Sequence, residues 1–282
     1  MKYLNTTLNK FLIYFIVLVL VGIGAAELGL SGWGLAVMYA VILIAIRFIF
    51  RASFWALRGN FFYITGRTEE ARVLLKKALD KNVKSPRAYL NYAVLILRDD
   101  KDCDNALMYL ERALKLRLKL IDEKNISLTI GTCHWLAGNI DKAIETIEAM
   151  RTKYDYLNPS ALTTLGYLYI LADNIEKAIE ITNIALEDNP NYASAWDNLG
   201  QIYHKIGDNE KAKENFVKAI ELKEGLADSQ YFMGVIAENE GRADDAKEYF
   251  RKAALCDISH FNTVTKEQVK EKQSAGTMKL VT

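Results

Sequence analysis

Apolar residues dominate the first fifty positions of the chain. Phe11–Ala26 contains no charged residue, and Trp33–Phe50 contains one. A helix rises about 1.5 Å per residue, so each stretch approaches the roughly 30 Å thickness of a hydrocarbon core. The residues between the two stretches are rich in glycine, which favours a turn. The pattern predicts a transmembrane hairpin over residues 1–51, with helices at about 8–26 and 33–50.

Basic residues lie at both outer ends of this predicted hairpin, and none lies in its turn. They are Lys2, Lys10, Arg47 and Arg51. Cytoplasmic flanks of membrane segments are enriched in Lys and Arg. We therefore expect an integral protein of the cell membrane with two spans, whose remaining chain faces the cytoplasm. The alternative is a cleaved signal peptide, which would leave only the second apolar stretch as an anchor.

Beyond residue 51 the apolar residues recur with the period of a helix. In residues 193–226, Trp196, Leu199, Gly200 and Tyr203 occupy positions i, i+3, i+4 and i+7. Such spacing places them on one stripe of a helix. A Gly-Asp pair then interrupts the pattern, and a second stripe built on alanine and phenylalanine follows. This stretch predicts a hairpin of two helices.

Alanines mark one position of a repeated unit. They are spaced 35, 37, 35, 34 and 34 residues apart, at Ala71, Ala106, Ala143, Ala178, Ala212 and Ala246. Glycine, or valine in one case, stands 12 positions before each alanine, at Gly59, Val94, Gly131, Gly166, Gly200 and Gly234. Small residues at fixed places let two helices approach closely. The period predicts about six units, at residues 52–86, 87–123, 124–158, 159–192, 193–226 and 227–260.

The repeated unit resembles the tetratricopeptide repeat. The family pattern of Trp, Leu-Gly, Tyr, Gly, Ala, Phe, Ala and a closing Pro is nearly complete in residues 193–226. Two units diverge, because Val94 replaces the usual glycine in one and His134 replaces the usual tyrosine in the other. The resemblance implies an all-α fold class, in which two transmembrane helices precede a right-handed α-α superhelical solenoid of about six hairpins.

The two ends of the predicted solenoid carry further expectations. Residues 261–282 are expected to form a capping helix, over Thr263–Gln273, and a disordered tail. No proline or glycine occurs between Ala36 and Leu57. The second membrane helix is therefore predicted to continue without a break into the first helix of the first repeat, and to end near Thr65–Gly66.

The resemblance also implies a binding site, since proteins of this family commonly hold a partner in the concave face lined by the first helix of each hairpin. The candidate groove residues are Asn60, Tyr63, Asn91, Thr163, Tyr167, Asp197, Asn198, Gln201, His204 and Tyr231. Amide side chains pair with both donors and acceptors of a peptide backbone, and tyrosine adds contact area at low entropic cost. Packing between repeats is the alternative role for each of them.

Charge and candidate chemistry narrow the function. The chain has 36 basic and 35 acidic residues, which gives no electrostatic footprint for nucleic acid. Its three cysteines are far apart, so buried thiols are expected rather than a disulfide scaffold. Cys256 and His260 are two ligands at most and do not make a metal site. No catalytic or nucleotide-binding motif is present, so we predict no enzyme, no metal and no cofactor.

We therefore expect a membrane-anchored scaffold or adaptor that binds a partner protein or peptide at the cytoplasmic membrane face. Its Lys-, Ile- and Asn-rich composition favours a bacterial source. Two alternatives stay open: an accessory subunit that contacts a membrane complex through the hairpin, and a module that senses a peptide. The small residues Gly22, Gly24 and Ala26 could also support self-association through the hairpin.

Overall fold

The computed structural model describes Glu27, Gly29, residues 32–259 and residues 262–278. In these residues the chain forms fourteen α-helices and no β-strand. The helices are α1 (Trp33–Ile49), α2 (Arg51–Ile64), α3 (Thr68–Leu79), α4 (Pro86–Asp99), α5 (Cys103–Leu114), α6 (Leu120–Leu136), α7 (Ile140–Lys153), α8 (Pro159–Leu171), α9 (Ile175–Asp188), α10 (Ala193–Lys205), α11 (Asn209–Leu222), α12 (Ala227–Asn239), α13 (Ala243–Leu255) and α14 (Lys266–Met278). The all-α fold class is confirmed.

Consecutive helices pack as pairs joined by short turns. The pairs are α2 with α3, α6 with α7, α8 with α9, α10 with α11, and α12 with α13. Their turns need a residue in the left-handed region, where glycine fits without strain. Gly207 has φ 84° in the turn between α10 and α11, and Asp173 has φ 58° in the turn between α8 and α9. The Gly or Asp residue that interrupts the apolar pattern in the sequence therefore lies where the first helix of each pair ends.

Close approach of the two helices explains the glycine that precedes five of the six alanines. A Cβ atom added to Gly200 would lie 2.4 Å from Cδ1 of Phe216, whose ring is fully buried. A Cβ atom on Gly59 would lie 2.8 Å from Cγ of Leu75. Separations this short are not found in packed proteins, so a larger residue would push the paired helices apart.

The described residues divide into two compact units. One contains the described residues up to Asp99 together with Glu111–Leu118, and the other contains Asp100–Leu110 and the described residues from Lys119 onward. In the first unit α2 packs against α3 and α4. In the second unit the helix pairs follow one another from α6 to α13, and α14 packs against α13. α14 runs past Ser274, beyond the end predicted for the capping helix.

The prediction that α1 continues directly into α2 is wrong. α1 ends at Ile49, the backbone at Phe50 has φ −96° and ψ 13°, and α2 begins at Arg51 after a bend of 68°. The direction of α2 is set by packing of its Ala56 and Phe62 face within the first unit. That tertiary constraint leaves no local signal, since neither proline nor glycine marks the bend.

Within the described part of the chain, no single helix is both long and apolar enough to cross a membrane. α1 and α2 reach the required length and hydropathy only when taken together across their bend. The first predicted span, at about residues 8–26, lies outside the described residues.

Candidate functional site

Polar side chains gather on the first helices of three successive pairs in the second unit. Tyr167 lies on α8, Asp197 and Gln201 lie on α10, and Asp228 lies on α12; we call these four residues the polar cluster. Residues 197 and 201 are four apart on one helix and so share a face. The Gln201 Nε2 atom donates a hydrogen bond of 2.8 Å to Asp197 Oδ2. Two predicted groove residues are thus in direct contact.

A short segment after α13 reaches this cluster. Residues 262–264, which we call the arm, are non-helical and lie between α13 and α14. The Thr263 hydroxyl donates a hydrogen bond of 2.7 Å to Gln201 Oε1. The Thr263 oxygen also lies 3.0 Å from the Tyr167 hydroxyl, which completes a chain of hydrogen bonds. Thr263 therefore joins α8 to α10.

Asp228 accepts hydrogen bonds from the other two residues of the arm. Its Oδ1 atom accepts a hydrogen bond of 2.9 Å from the Val264 main-chain N–H, and its Oδ2 atom accepts one of 3.1 Å from Asn262 Nδ2. Next to it, the Ser229 hydroxyl donates a hydrogen bond to Asp197 Oδ1. Hydrogen bonds to carboxylates are stronger than neutral ones, so these contacts hold the arm against α12.

The two carboxyl groups of the cluster are buried, and this changes their acidity. Burial and, to a smaller extent, the nearby Asp228 charge raise the pKa of Asp197 to about 7, while hydrogen bonds from Ser229 and Gln201 oppose the shift. Burial also raises the pKa of Asp228, and the Val264 and Asn262 donors oppose it. Removing a carboxylate from water disfavours its charged form. Both carboxyl groups therefore stay protonated to a higher pH than an exposed aspartate does.

Asn198 and Thr163 lie outside the polar cluster. The Asn198 Nδ2 atom donates a hydrogen bond of 2.9 Å to the Thr163 carbonyl, and both residues are buried between α8 and α10. In this structure they serve the contact between successive helix pairs. Beside them, the Trp135 ring meets the Tyr167 ring edge-on with 5.3 Å between centroids, which fixes the direction of the tyrosine.

His204 and Tyr231 belong to an aromatic group. The His204 ring centroid lies 5.1 Å from that of Phe232, and the Tyr231 centroid lies 5.7 Å from Phe232 and 5.5 Å from Phe250. Both residues are half-buried. Their rings consequently fill space between α10, α12 and α13.

The remaining predicted groove residues lie in the first unit. The Asn91 Nδ2 atom donates a hydrogen bond of 2.9 Å to Asn60 Oδ1, which joins α4 to α2. Burial raises the pKa of Tyr63, and the positive charge of Arg98 opposes that shift. All three side chains are half-buried, so each retains some surface for a partner.

Sequence reasoning missed Asp228, Ser229 and the arm. Asp228 stands in the first turn of α12, where an acidic residue is an ordinary feature because it complements the helix dipole. Nothing in its sequence position therefore singles it out. Thr263 is predicted at the start of a capping helix, whereas α14 begins at Lys266 and leaves Thr263 able to contact the cluster.

The polar cluster consists of hydrogen-bonding groups. Burial raises the pKa of the Cys133 thiol to about 12, so this cysteine is a poor nucleophile. Among the residues that the structure describes, no group of three or more His, Cys, Asp or Glu is placed to hold a metal ion. What the polar cluster offers is a set of hydrogen-bond acceptors and donors directed at a chain segment.

Comparison with known proteins agrees with the repeated fold. Residues 193–225 and 227–255 match the family model described as tetratricopeptide repeat. No curated protein sequence matches the chain. The match covers the two helix pairs α10–α11 and α12–α13, which carry Gln201 and Asp228.

Several solved structures are similar to much of the chain. A tetratricopeptide repeat protein from Parabacteroides merdae ATCC 43184 is 16% identical with a TM-score of 0.66, over 93% of this chain and 98% of that one. PilW, a type IV pilus biogenesis factor, is 18% identical with a TM-score of 0.60, over 78% and 98%. A thermophilic repeat protein from Thermus thermophilus is 17% identical with a TM-score of 0.55, over 69% and 100%. At these identities the likeness shows the fold alone.

Proposed function

We propose that this chain, whose residues 193–225 and 227–255 match the tetratricopeptide repeat, is a membrane-anchored scaffold or adaptor that binds a partner protein or peptide. The observation that carries the proposal is the contact between the polar cluster and the arm. Asp228 accepts a main-chain N–H, and Gln201 accepts a hydroxyl, as a site for a peptide segment would. The proposed role is binding and not catalysis.

An exposed apolar face in the first unit supports contact with a membrane. Phe54, Leu57, Phe61 and Ile64 on α2 are 51%, 70%, 59% and 77% exposed. An apolar helix face of this kind, flanked by basic residues, is typical of a helix at a lipid surface. The proposal places the first unit at the cytoplasmic membrane face, anchored by the hairpin that the sequence predicts, in a bacterial cell.

The groove part of the proposal is tested by capturing partners from native membranes after brief cross-linking. The full chain is compared with a variant that combines Tyr167→Phe and Gln201→Ala. Lys218→Ala is the matched control, because this residue is exposed on α11. We expect a partner that the wild type and the control retain and the cluster variant loses. A partner that all three proteins retain equally would refute binding through the polar cluster.

The membrane part needs a separate test. We expect the full chain to remain in the membrane fraction after alkaline extraction. A cysteine introduced by Lys218→Cys should react with a membrane-impermeant maleimide only after the cells are permeabilised. Release at alkaline pH would contradict integral anchoring, and labelling of intact cells would contradict the cytoplasmic orientation.

The exposed face of α2 also favours a second candidate function, an accessory subunit that contacts a membrane complex through its N-terminal part. A variant that combines Leu57→Ser, Phe61→Ser and Ile64→Ser separates the two functions, with Val73→Ser on α3 as an exposed control. Loss of the partner in this variant, together with its retention in the cluster variant, would support the accessory subunit over the adaptor.

A further inference from the structure

The arm makes the contacts of a bound ligand, although it belongs to the same chain. It presents a carboxamide, a hydroxyl, a main-chain N–H and an aliphatic side chain in three consecutive residues, Asn262, Thr263 and Val264. The first three groups meet Asp228 and Gln201. The fourth is buried in a small apolar group that includes Ala227 on α12, Ala253 on α13 and Val269 on α14.

The receiving site is built from residues that are themselves buried. Asp197, Gln201 and Asp228 are 6%, 5% and 8% exposed, and each holds a polar atom within hydrogen-bonding distance of a neighbour. A buried polar group left without a partner is strongly unfavourable. Gln201 Oε1 and Asp228 Oδ1 therefore require an occupant, either the arm or a segment that makes equivalent hydrogen bonds.

The charge of the site restricts that occupant. Asp197 and Asp228 are both acidic, and in the described residues no ion pair or hydrogen bond from a Lys or Arg reaches either carboxyl group. An acidic segment would be repelled from such a site. A neutral segment with a carboxamide or hydroxyl side chain and a free main-chain N–H fits it.

We infer that the polar cluster is a peptide-binding site whose resident ligand is the arm, and that a partner segment of the Asn-Thr-Val type must displace the arm to bind. The inference rests on the proposed function, because it assigns the partner's chemistry to the same helices. It makes the binding of a partner competitive with a contact inside the chain. A partner's apparent affinity is then its intrinsic affinity multiplied by the fraction of molecules in which the arm is not bound.

A test must release the arm without unfolding the end of the array. Val264 and Val269 are buried against α12 and α13, so deleting the segment would expose apolar surface. Thr263→Val keeps the shape of the side chain and removes the hydrogen bonds to Gln201 and Tyr167. Asn262→Leu removes a donor to Asp228. The double variant keeps the Val264 contacts and weakens only the polar ones.

The probe is a fluorescein-labelled peptide with the sequence of residues 257–270, added to the full chain in detergent. We expect the double variant to bind this peptide about 10- to 100-fold more tightly than the wild type does, as the loss of the arm's three side-chain hydrogen bonds to the polar cluster implies. Glu267→Ala, an exposed change beside the arm, should bind like the wild type. A peptide carrying the same two substitutions should not bind.

Equal binding of the peptide by the wild type and the double variant would overturn the inference, and so would equal binding of both peptides. Hydrogen exchange in α12 and α13 establishes that the double variant is folded. If it is not, Thr263→Val alone provides the same comparison with a gain of about tenfold, from the loss of its two hydrogen bonds.

The outcome is separable from that of the proposed function. A membrane partner lost in the Tyr167→Phe and Gln201→Ala variant but unaffected by release of the arm would sustain the adaptor and overturn the resident ligand. Peptide binding that depends on release of the arm would sustain the resident ligand even where no partner is captured through the cluster.

Discussion

Replacing Asp197 by asparagine separates the charge of the polar cluster from its hydrogen bonds. The new amide has the shape of the carboxylate but does not ionise. Its oxygen can accept the Ser229 hydroxyl, and its nitrogen can donate to Gln201 once the Gln201 amide turns over. The Thr263 oxygen can then accept from the turned amide. We expect Asp197→Asn to stabilise the second unit above neutral pH and to reduce the dependence of its stability on pH.

The magnitude follows from the shift in acidity. The pKa of Asp197 rises from 3.8 to about 7 on folding. At 1.36 kcal/mol per pKa unit this is a penalty of roughly 4 kcal/mol for the ionised side chain in the folded protein. Because the folded-state pKa lies above the unfolded one, folding takes up a proton. The penalty is absent below about pH 3.8, grows as the pH rises between about 3.8 and 7, and is complete above about pH 7.

Between pH 5 and pH 8 the wild type should therefore lose roughly 2 to 3 kcal/mol of unfolding free energy that the variant keeps. Asp228 on α12 and the Tyr167 hydroxyl on α8 also face this site, and the pKa of each is raised by burial. Asp228 contributes in the same direction in both proteins. Because the two carboxyl groups interact, the difference between the two proteins reports the loss of the Asp197 charge together with its effect on Asp228.

The measurement is amide hydrogen exchange of α12 and of Val264 at pH 5, 6.5 and 8, corrected for the intrinsic exchange rate at each pH. Asp244→Asn, an exposed change on α13, is the matched control. Protection in the wild type should rise as the pH falls from 8 to 5, and in Asp197→Asn it should rise less. A variant that is less protected than the wild type at pH 8 would refute the reasoning.

Two further predictions concern packing and reactivity. Gly200→Ala should destabilise the protein by about 1 to 3 kcal/mol, because the new methyl group meets the Phe216 ring. Gly225→Ala is the control: its new methyl group meets no atom within 4 Å, so stability should change by less than about 0.5 kcal/mol. Equal shifts of the two variants in thermal unfolding would contradict this packing. Cys133 should react with iodoacetamide at least about tenfold more slowly than Cys256, because Cys133 is fully buried and burial raises its pKa to about 12. Peptide mass spectrometry measures both rates. Faster labelling of Cys133 would contradict its burial.

The helix pairs were predictable because their determinants are local and repeated. Gly200 and Ala212 stand 12 residues apart, and the same spacing recurs through the chain. Each glycine allows a close approach, so selection for packing leaves a regular trace in the sequence. The bend at Phe50 leaves no such trace, since it depends on how α2 packs within the first unit.

The candidate site was predictable only in part. Tyr167, Asp197 and Gln201 stood out as polar residues on the first helices of their repeats. Asp228 did not, because an acidic residue at the start of a helix has a local explanation. The arm could not be predicted from a repeat pattern, because the partners of Thr263 lie 62 and 96 positions away, at Gln201 and Tyr167. A stretch of three residues carries no signal for so distant a contact.

The arm also has a mechanical consequence. In an array where each repeat touches only its neighbours, the terminal repeat frays first and alone. Here the residues that follow the last pair are tied to α8, α10 and α12, so a pull on the C-terminus acts on three repeats at once. The last pair, which itself contains α12, cannot separate from the array until Thr263 has lost its hydrogen bonds to Gln201 on α10 and Tyr167 on α8.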